Sequence, residues 1–311
     1  MDRQSIVGTS VQRLEGRDKV TGAAQYVDDL TMPGMIYGAT VRSSIPRGRI
    51  KNITFAPEIP WQEFVMVSAK DIPGKNCIAL IEDDQPCLAS AEVNHPEEAI
   101  LLLAHHDKYL LRKAVGAVHI EYERLPAVFS IADSEAQSQI IWGQNNIFKT
   151  YLIEKGNLEQ AWARADYIVE GEYTTGAQEQ LYIENNGMIA VFDAERGLTV
   201  WGSLQCPYYV HKALMKLCGL SEDRVRVVQT ETGGAFGGKE EYPSMLAGHA
   251  SLLAIKSGLP VKIVYDRLED MAATTKRHPS RTRHRTGVTK AGKILGGEIE
   301  FVIDGGTIRT V

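Results

Sequence analysis

Apolar and polar residues alternate with a period of two through Ile50–Phe55, Phe64–Ala69, Val118–Tyr122 and Tyr167–Tyr173, which predicts strands with one buried face. Gln25–Val41 reads as a turn at Pro33–Gly34 that leads into a strand. Ala99–Ala104 (AILLLA) is apolar throughout and bounded by Glu97, Glu98 and His105, so it reads as a core strand or helix. Helical spacing recurs at Asp107–Gly116, at Asn157–Ala165 with Asn157 as N-cap, at Pro207–Leu217 before Gly219, and at Glu241–Ser257 before Gly258. Met188–Asp193 and Leu198–Gly202 predict a hairpin turning at Arg196–Gly197. Arg224–Thr230, Pro260–Tyr265 and Ile294–Asp304 complete the expected strands.

Strands and helices mixed in this way predict an α+β (mixed α/β) chain. The polar stretch Ser130–Asn146 suggests a linker or a short surface helix. The expected division is residues 1–128, a linker over 129–147, and residues 148–311. No internal repeat or low-complexity tract is present.

Composition narrows the function classes. The 311 residues are 44% hydrophobic and 23% charged, the range of ordinary globular proteins, and the net charge of −5 argues against a nucleic-acid partner. One basic run, Lys276–Arg277–His278 through Arg281, Arg283, His284 and Arg285, reads as a solvated strand or hairpin edge, or as a docking surface for an acidic partner. The four cysteines, Cys77, Cys87, Cys206 and Cys218, form no CxxC pair and fit no zinc or iron–sulfur spacing, which suggests reduced thiols in the cytoplasm. The N-terminal stretch lacks the apolar region of a secretory signal, and no apolar run reaches the about 20 residues that span a bilayer.

The informative segment is Val228–Glu241, in which Gly233, Gly234, Gly237 and Gly238 surround Phe236 between a strand and a helix. Glycines permit positive φ and close backbone approach to a ligand, and free N–H groups beside a helix N-terminus suit an anionic or oxo group. Gly233-x-x-x-x-Gly238-Lys239 also matches most of a phosphate-binding P-loop. Glu240 stands where that motif needs Ser or Thr for magnesium, and a carboxylate there would repel nucleotide phosphates. An NTPase is therefore a remote alternative.

The segment Gly233–Glu240 (GGAFGGKE) resembles the glycine-rich cofactor loop of the xanthine dehydrogenase/aldehyde oxidase family. Gly176–Glu184, Gly22–Leu30 with Met32–Tyr37, Arg277–His278–Pro279 and Asp304–Gly305–Gly306 are similar to further family segments in the same order. The resemblance implies a hammerhead-like N-terminal domain followed by the first part of a molybdenum-cofactor-binding domain. It implies molybdopterin as cofactor, in bacteria often as the cytosine dinucleotide. It places Gln178 as the amide near a molybdenum oxo group, Phe236 and Gly237 beside the metal without being direct ligands, and Glu240 as the carboxylate that contacts substrate. Glu241 is its neighbour and competitor, while Glu179 and Glu184 read as structural. The implied reaction is hydroxylation of a purine, related N-heterocycle or aldehyde, with water as the oxygen source. Electrons would pass to 2Fe-2S and FAD groups on partner subunits.

The resemblance also implies a longer molybdenum subunit than this chain. The unmatched part would supply the substrate-reading arginine, most pterin contacts and the catalytic general base, for which no residue here is a candidate. Three explanations stay open: a truncated product of a disrupted gene, an expressed fragment, or a split enzyme whose C-terminal half is a separate chain. A non-catalytic interaction module is the alternative, and the chain alone is expected to be inactive.

Overall fold

The computed structural model describes residues 7–78 and 83–306; positions 1–6 and the last five of the second expected domain lie outside the described residues. In chain order the first segment gives α1 (Gly16–Thr21), β1 (Ile36–Arg42), β2 (Gly48–Phe55), β3 (Val65–Ser68), β4 (Glu92–Val93), β5 (Ala99–His105), α2 (Lys108–Gly116) and β6 (Val118–Arg124). The expected linker holds α3 (Ile131–Glu135), capped by the Ser130 side chain. Then come α4 (Leu158–Arg164), β7 (Tyr167–Thr175), β8 (Gly187–Asp193), β9 (Gly197–Gly202), α5 (Pro207–Cys218), β10 (Val225–Gln229) and α6 (Tyr242–Ser257). The last elements are β11 (Val261–Val264), α7 (Arg267–Ala273), β12 (Ser280–Val288) and β13 (Ile294–Ile303). The expected mixed α/β class is what the structure has.

The central element is a seven-stranded sheet in the order β10-β9-β8-β11-β1-β5-β3. Three of its strands precede the linker and four follow it. They join where β1 runs parallel to β11, with Ile36 opposite Val261 and Tyr37 opposite Lys262. The two sequence segments therefore share one sheet, which local periodicity does not reveal, because period two marks a strand without naming its partner. Every residue of β5 is buried, since α2 covers one face of the sheet and α5 and α6 pack on the other. That explains the unbroken AILLLA run. Almost all of α6 is buried, so it carries no polar stripe. Strands β4-β2-β6 form a small separate sheet.

A third sheet, β13-β12-β7, corrects the reading of the basic run. Strand β12 is central, and its arginines are laced to glutamates: Arg281 to Glu135, Arg283 to Glu172 and Glu300, Arg285 to Glu170. Among the described residues, no unpaired basic stripe is left on β12 for an acidic partner. These pairs share a face with Gly287 and Gly296, against which Trp162 and Ala161 of α4 pack. The opposite face carries Tyr167, Val169, Tyr173, Ile299, Phe301 and Ile303, all exposed to half or more.

The thiols are free, with Cys77, Cys87 and Cys218 buried. Burial pushes the Cys218 thiol up to about 12 and Cys87 higher still. Among the described residues no helix is long and apolar enough to cross a membrane.

Candidate functional site

The β9–α5–β10 unit sets the site. Strands β9 and β10 are parallel neighbours, with Gly202 opposite Gln229, so the segments leaving their C-terminal ends lie side by side. That is where open α/β sheets place ligands. Ser203–Cys206 leaves β9 and enters α5; the glycine loop leaves β10 and enters α6. The segments that lead into the two helices meet where Gln205 pairs with Lys239.

Gln205 ties the two segments together. Its side-chain Oε1 accepts from the N–H of Gly237 at 3.1 Å and of Lys239 at 3.2 Å, and its own N–H donates to the Lys239 carbonyl at 2.7 Å. Both side-chain partners are donors, which fixes the amide orientation: the oxygen faces the loop, and the NH2 group is left to donate elsewhere.

The loop's crest and underside differ sharply. Phe236 has φ 53° and its side chain is 78% exposed. A bulky residue in the left-handed region is an outlier that costs roughly 1–3 kcal/mol and clusters at ligand sites. Gly237 follows at φ 90° with open space around it. Beneath, Tyr182 is fully buried under Gly234 and Gly238, and its hydroxyl donates to Asp270 at 2.9 Å and accepts from Asn186 at 2.6 Å.

Lys239 is fully buried as well. Its ammonium donates to the Glu184 carbonyl at 2.7 Å, to Ser203 Oγ at 2.8 Å and to Glu184 Oε2 at 3.1 Å, and lies 4.7 Å from the Tyr182 ring centre. Glu184 Oε2 also accepts from Ser203 Oγ at 2.6 Å and from Gly233 N–H at 2.7 Å. Burial pulls the Lys239 ammonium below the ordinary lysine range, and the charge of Glu184 works against that. A phosphate-binding lysine must face its nucleotide; this one is turned inward and paired, which removes the NTPase reading.

The structure brings together only some of the residues expected at the site. Phe236 and Gly237 form the crest, but the Gly237 N–H is engaged by Gln205 and does not face outward as a free donor. Gln178 lies on an isolated bridge with Arg277 (3.3 and 3.0 Å backbone bonds), and its side chain is exposed. The amide that hydrogen-bonds to the loop backbone is that of Gln205, while the Gln180 side chain packs beside Gly238. Glu240 is exposed at the loop's end. Its neighbour Glu241 is the half-buried one, pushed up by burial and by the charge of Glu240. Glu179 pairs with Lys276 at 2.6 Å. Sequence reading missed Gln205, although parallel β9 and β10 imply that Ser203–Cys206 borders the loop. It also missed the Lys239–Glu184 pair, for which no local signal exists.

Comparison with known proteins agrees with this architecture. A sequence profile described as "Molybdopterin cofactor-binding domain" matches residues 142–311, and one described as "Aldehyde oxidase and xanthine dehydrogenase, a/b hammerhead domain" matches 21–126. The nicotinate dehydrogenase large molybdopterin subunit of Eubacterium barkeri is 32% identical over 304 residues, 97% of this chain and 71% of that protein. A probable xanthine dehydrogenase subunit of Bacillus subtilis (strain 168) is 31% identical over 301 residues, 96% of this chain but 40% of that protein. Among solved structures, the aldehyde oxidoreductase of Desulfovibrio gigas superimposes with a TM-score of 0.83 at 24% identity, over 94% of this chain and 34% of that one. This chain thus spans 71% of the Eubacterium protein but 40% of the Bacillus protein and 34% of the Desulfovibrio structure. Together the two profiles and the Eubacterium relative show that the chain belongs to the xanthine dehydrogenase/aldehyde oxidase family of molybdopterin-binding proteins.

Proposed function

We propose that this chain is one part of a molybdenum hydroxylase subunit, the part that presents the glycine loop to the cofactor, and that it is not active alone. The observation that carries this reading is the crest itself: an exposed Phe236 held at positive φ beside Gly237, with the Gln205 carboxamide locked against it.

These residues fit molybdopterin. The dithiolene-bound metal would need no protein ligands, and the site offers one neutral donor group, the Gln205 NH2, with an aromatic wall and room for close approach. Gln205 would donate from its side-chain NH2 to an oxo group, which adds no charge and does not titrate. Phe236 would wall the pocket, and Gly237 would let the cofactor come near the backbone. When bound, the cofactor supplies two-electron oxidative hydroxylation. Glu240, on the same loop and accessible, would contact a small polar substrate such as an N-heterocycle; an aldehyde remains the alternative. Gln178, at the exposed strand end beside Arg277, would border the pocket without touching the loop. Partner subunits carrying 2Fe-2S and FAD would take the electrons, the cofactor would be the cytosine dinucleotide form in a bacterial host, and the enzyme would work in the cytoplasm.

The general base and the substrate-reading arginine are assigned to a complementing part. The apolar face of β7-β12-β13 carries six side chains exposed to half or more, a surface that such a part would cover. The Eubacterium relative, named a large molybdopterin subunit, is about 430 residues long, since 304 make 71% of it, against about 750 for the Bacillus protein, where 301 make 40%. Molybdopterin subunits of different lengths therefore occur in this family.

The test is a pair of substitutions in the chain expressed in a host that makes the cofactor. Gln205→Ala should lower molybdenum retention by about tenfold, the equivalent of one lost hydrogen bond to a charged group. Gln178→Ala should lower it far less. The reverse order would return the metal-facing role to Gln178.

A further inference from the structure

Lys239 makes two sets of contacts, one from its side chain and one from its backbone. Its side chain is fully buried and ends on Glu184 and Ser203. Its backbone N–H and carbonyl both pair with Gln205. Ser203 is only two residues before Gln205, and Glu184 Oε2 also holds the N–H of Gly233 at the start of the loop. A single carboxylate oxygen thus gathers both ends of the glycine loop and the segment that carries Gln205.

We infer that Lys239 and Glu184 are positioning residues: the buried pair closes the loop from beneath and, through the Lys239 backbone, fixes the Gln205 carboxamide and the Phe236–Gly237 crest in the orientation that receives the cofactor. The importance of that orientation rests on the function proposed above; the positioning itself does not. A buried ion pair is a poor source of net stability, because desolvation of two charges offsets their attraction, and its best-attested use is to specify one arrangement over others. The contacts fit that use. The pair joins three segments, that of Glu184 itself, the glycine loop through Gly233 and Lys239, and the segment of Ser203 and Gln205, all of them loops or strand ends.

The experiment compares the wild-type chain with Lys239→Met and with the double variant Glu184→Gln/Lys239→Met. The single variant strands a buried carboxylate and should unfold at lower denaturant; the double variant removes both charges and should regain a midpoint near wild type. Amide hydrogen exchange is then followed for peptides covering 203–209 and 231–241, and for α6 and β8 as internal references. In the double variant the amides of Gly237 and Lys239 should lose protection at least about tenfold while α6 and β8 keep theirs. Wild-type protection at those two amides would overturn the inference. So would a uniform loss across α6 and β8, because the pair would then be holding the fold and not the loop. Molybdenum retention is measured on the same proteins as a separate readout, and it should fall in the double variant by a similar factor. A wild-type chain that takes up no molybdenum, with the local loss of protection intact, would support the positioning role and count against the functional reading.

Discussion

Gly237 and Gly238 are adjacent, and the structure requires glycine at each for a different physical reason. A Cβ on Gly238 would stand 2.5 Å from Cε1 of Tyr182. That ring cannot retreat: it is fully buried, its hydroxyl is fixed by Asp270 and Asn186, and Lys239 lies against its face. Gly238→Ala should therefore destabilise by about 1–3 kcal/mol, the usual cost of overpacking a rigid site. A Cβ on Gly237 meets nothing within 4 Å, but φ there is 90°. Gly237→Ala should cost about 1–2 kcal/mol from backbone strain alone, and Gly237→Asn less, since Asn tolerates the left-handed region. Urea unfolding of the three variants gives the answer as midpoint shifts at constant slope. If Gly238→Ala falls within error of wild type, or if Gly237→Asn is as damaging as Gly237→Ala, the stated reasons for these glycines are wrong.

Three other outcomes follow from the structure. His249 is fully buried, placed between Thr40 (3.2 Å) and the Cys87 carbonyl (3.2 Å), and burial lowers its pKa from 6.5 to about 3. The unfolded chain therefore takes up this proton first, so the contribution is complete above pH 6.5 and is lost as pH falls toward 3. By pH 5 the loss should be about 2 kcal/mol, read as the difference in pH dependence between wild type and His249→Gln. Arg283→Ala, at an exposed rung of the β12 charge ladder, should leave the unfolding midpoint without a resolvable shift and should change no binding to acidic surfaces. Glu240→Gln in a reconstituted enzyme should alter substrate preference more than cofactor content; equal losses in both would favour a structural role for this residue.

The elements most legible in the sequence were those fixed by local chemistry. The helix ending at Gly258 is one, since the αL cap at φ 67° needs a residue without a Cβ. The Asn157 cap, the hairpin between β8 and β9, and the buried β5 follow the same logic. The loop was legible because four glycines around one phenylalanine have little use in an ordinary turn. What stayed hidden was nonlocal. The β1–β11 pairing spans some two hundred residues and merges both segments into one sheet. The arginines of β12 read as a free basic run until the glutamates of β7 and β13 are placed beside them. The resemblance points to Gln178, while the contact of Gln205 with the loop emerges only once β9 and β10 are paired. Glu240 and Glu241 are neighbours in sequence, and only packing decides which of the two is half-buried.

The central claim, that this loop and its glutamine hold a molybdenum cofactor, is tested most directly by the molybdenum and pterin content of the chain purified from a host that makes the cofactor, alone and after mixing with the complementary part of a longer relative. Molybdenum and pterin should appear together in equal amounts, rise toward one per chain when the complement is present, and fall in Gln205→Ala. A chain that carries neither, with or without the complement, would contradict it.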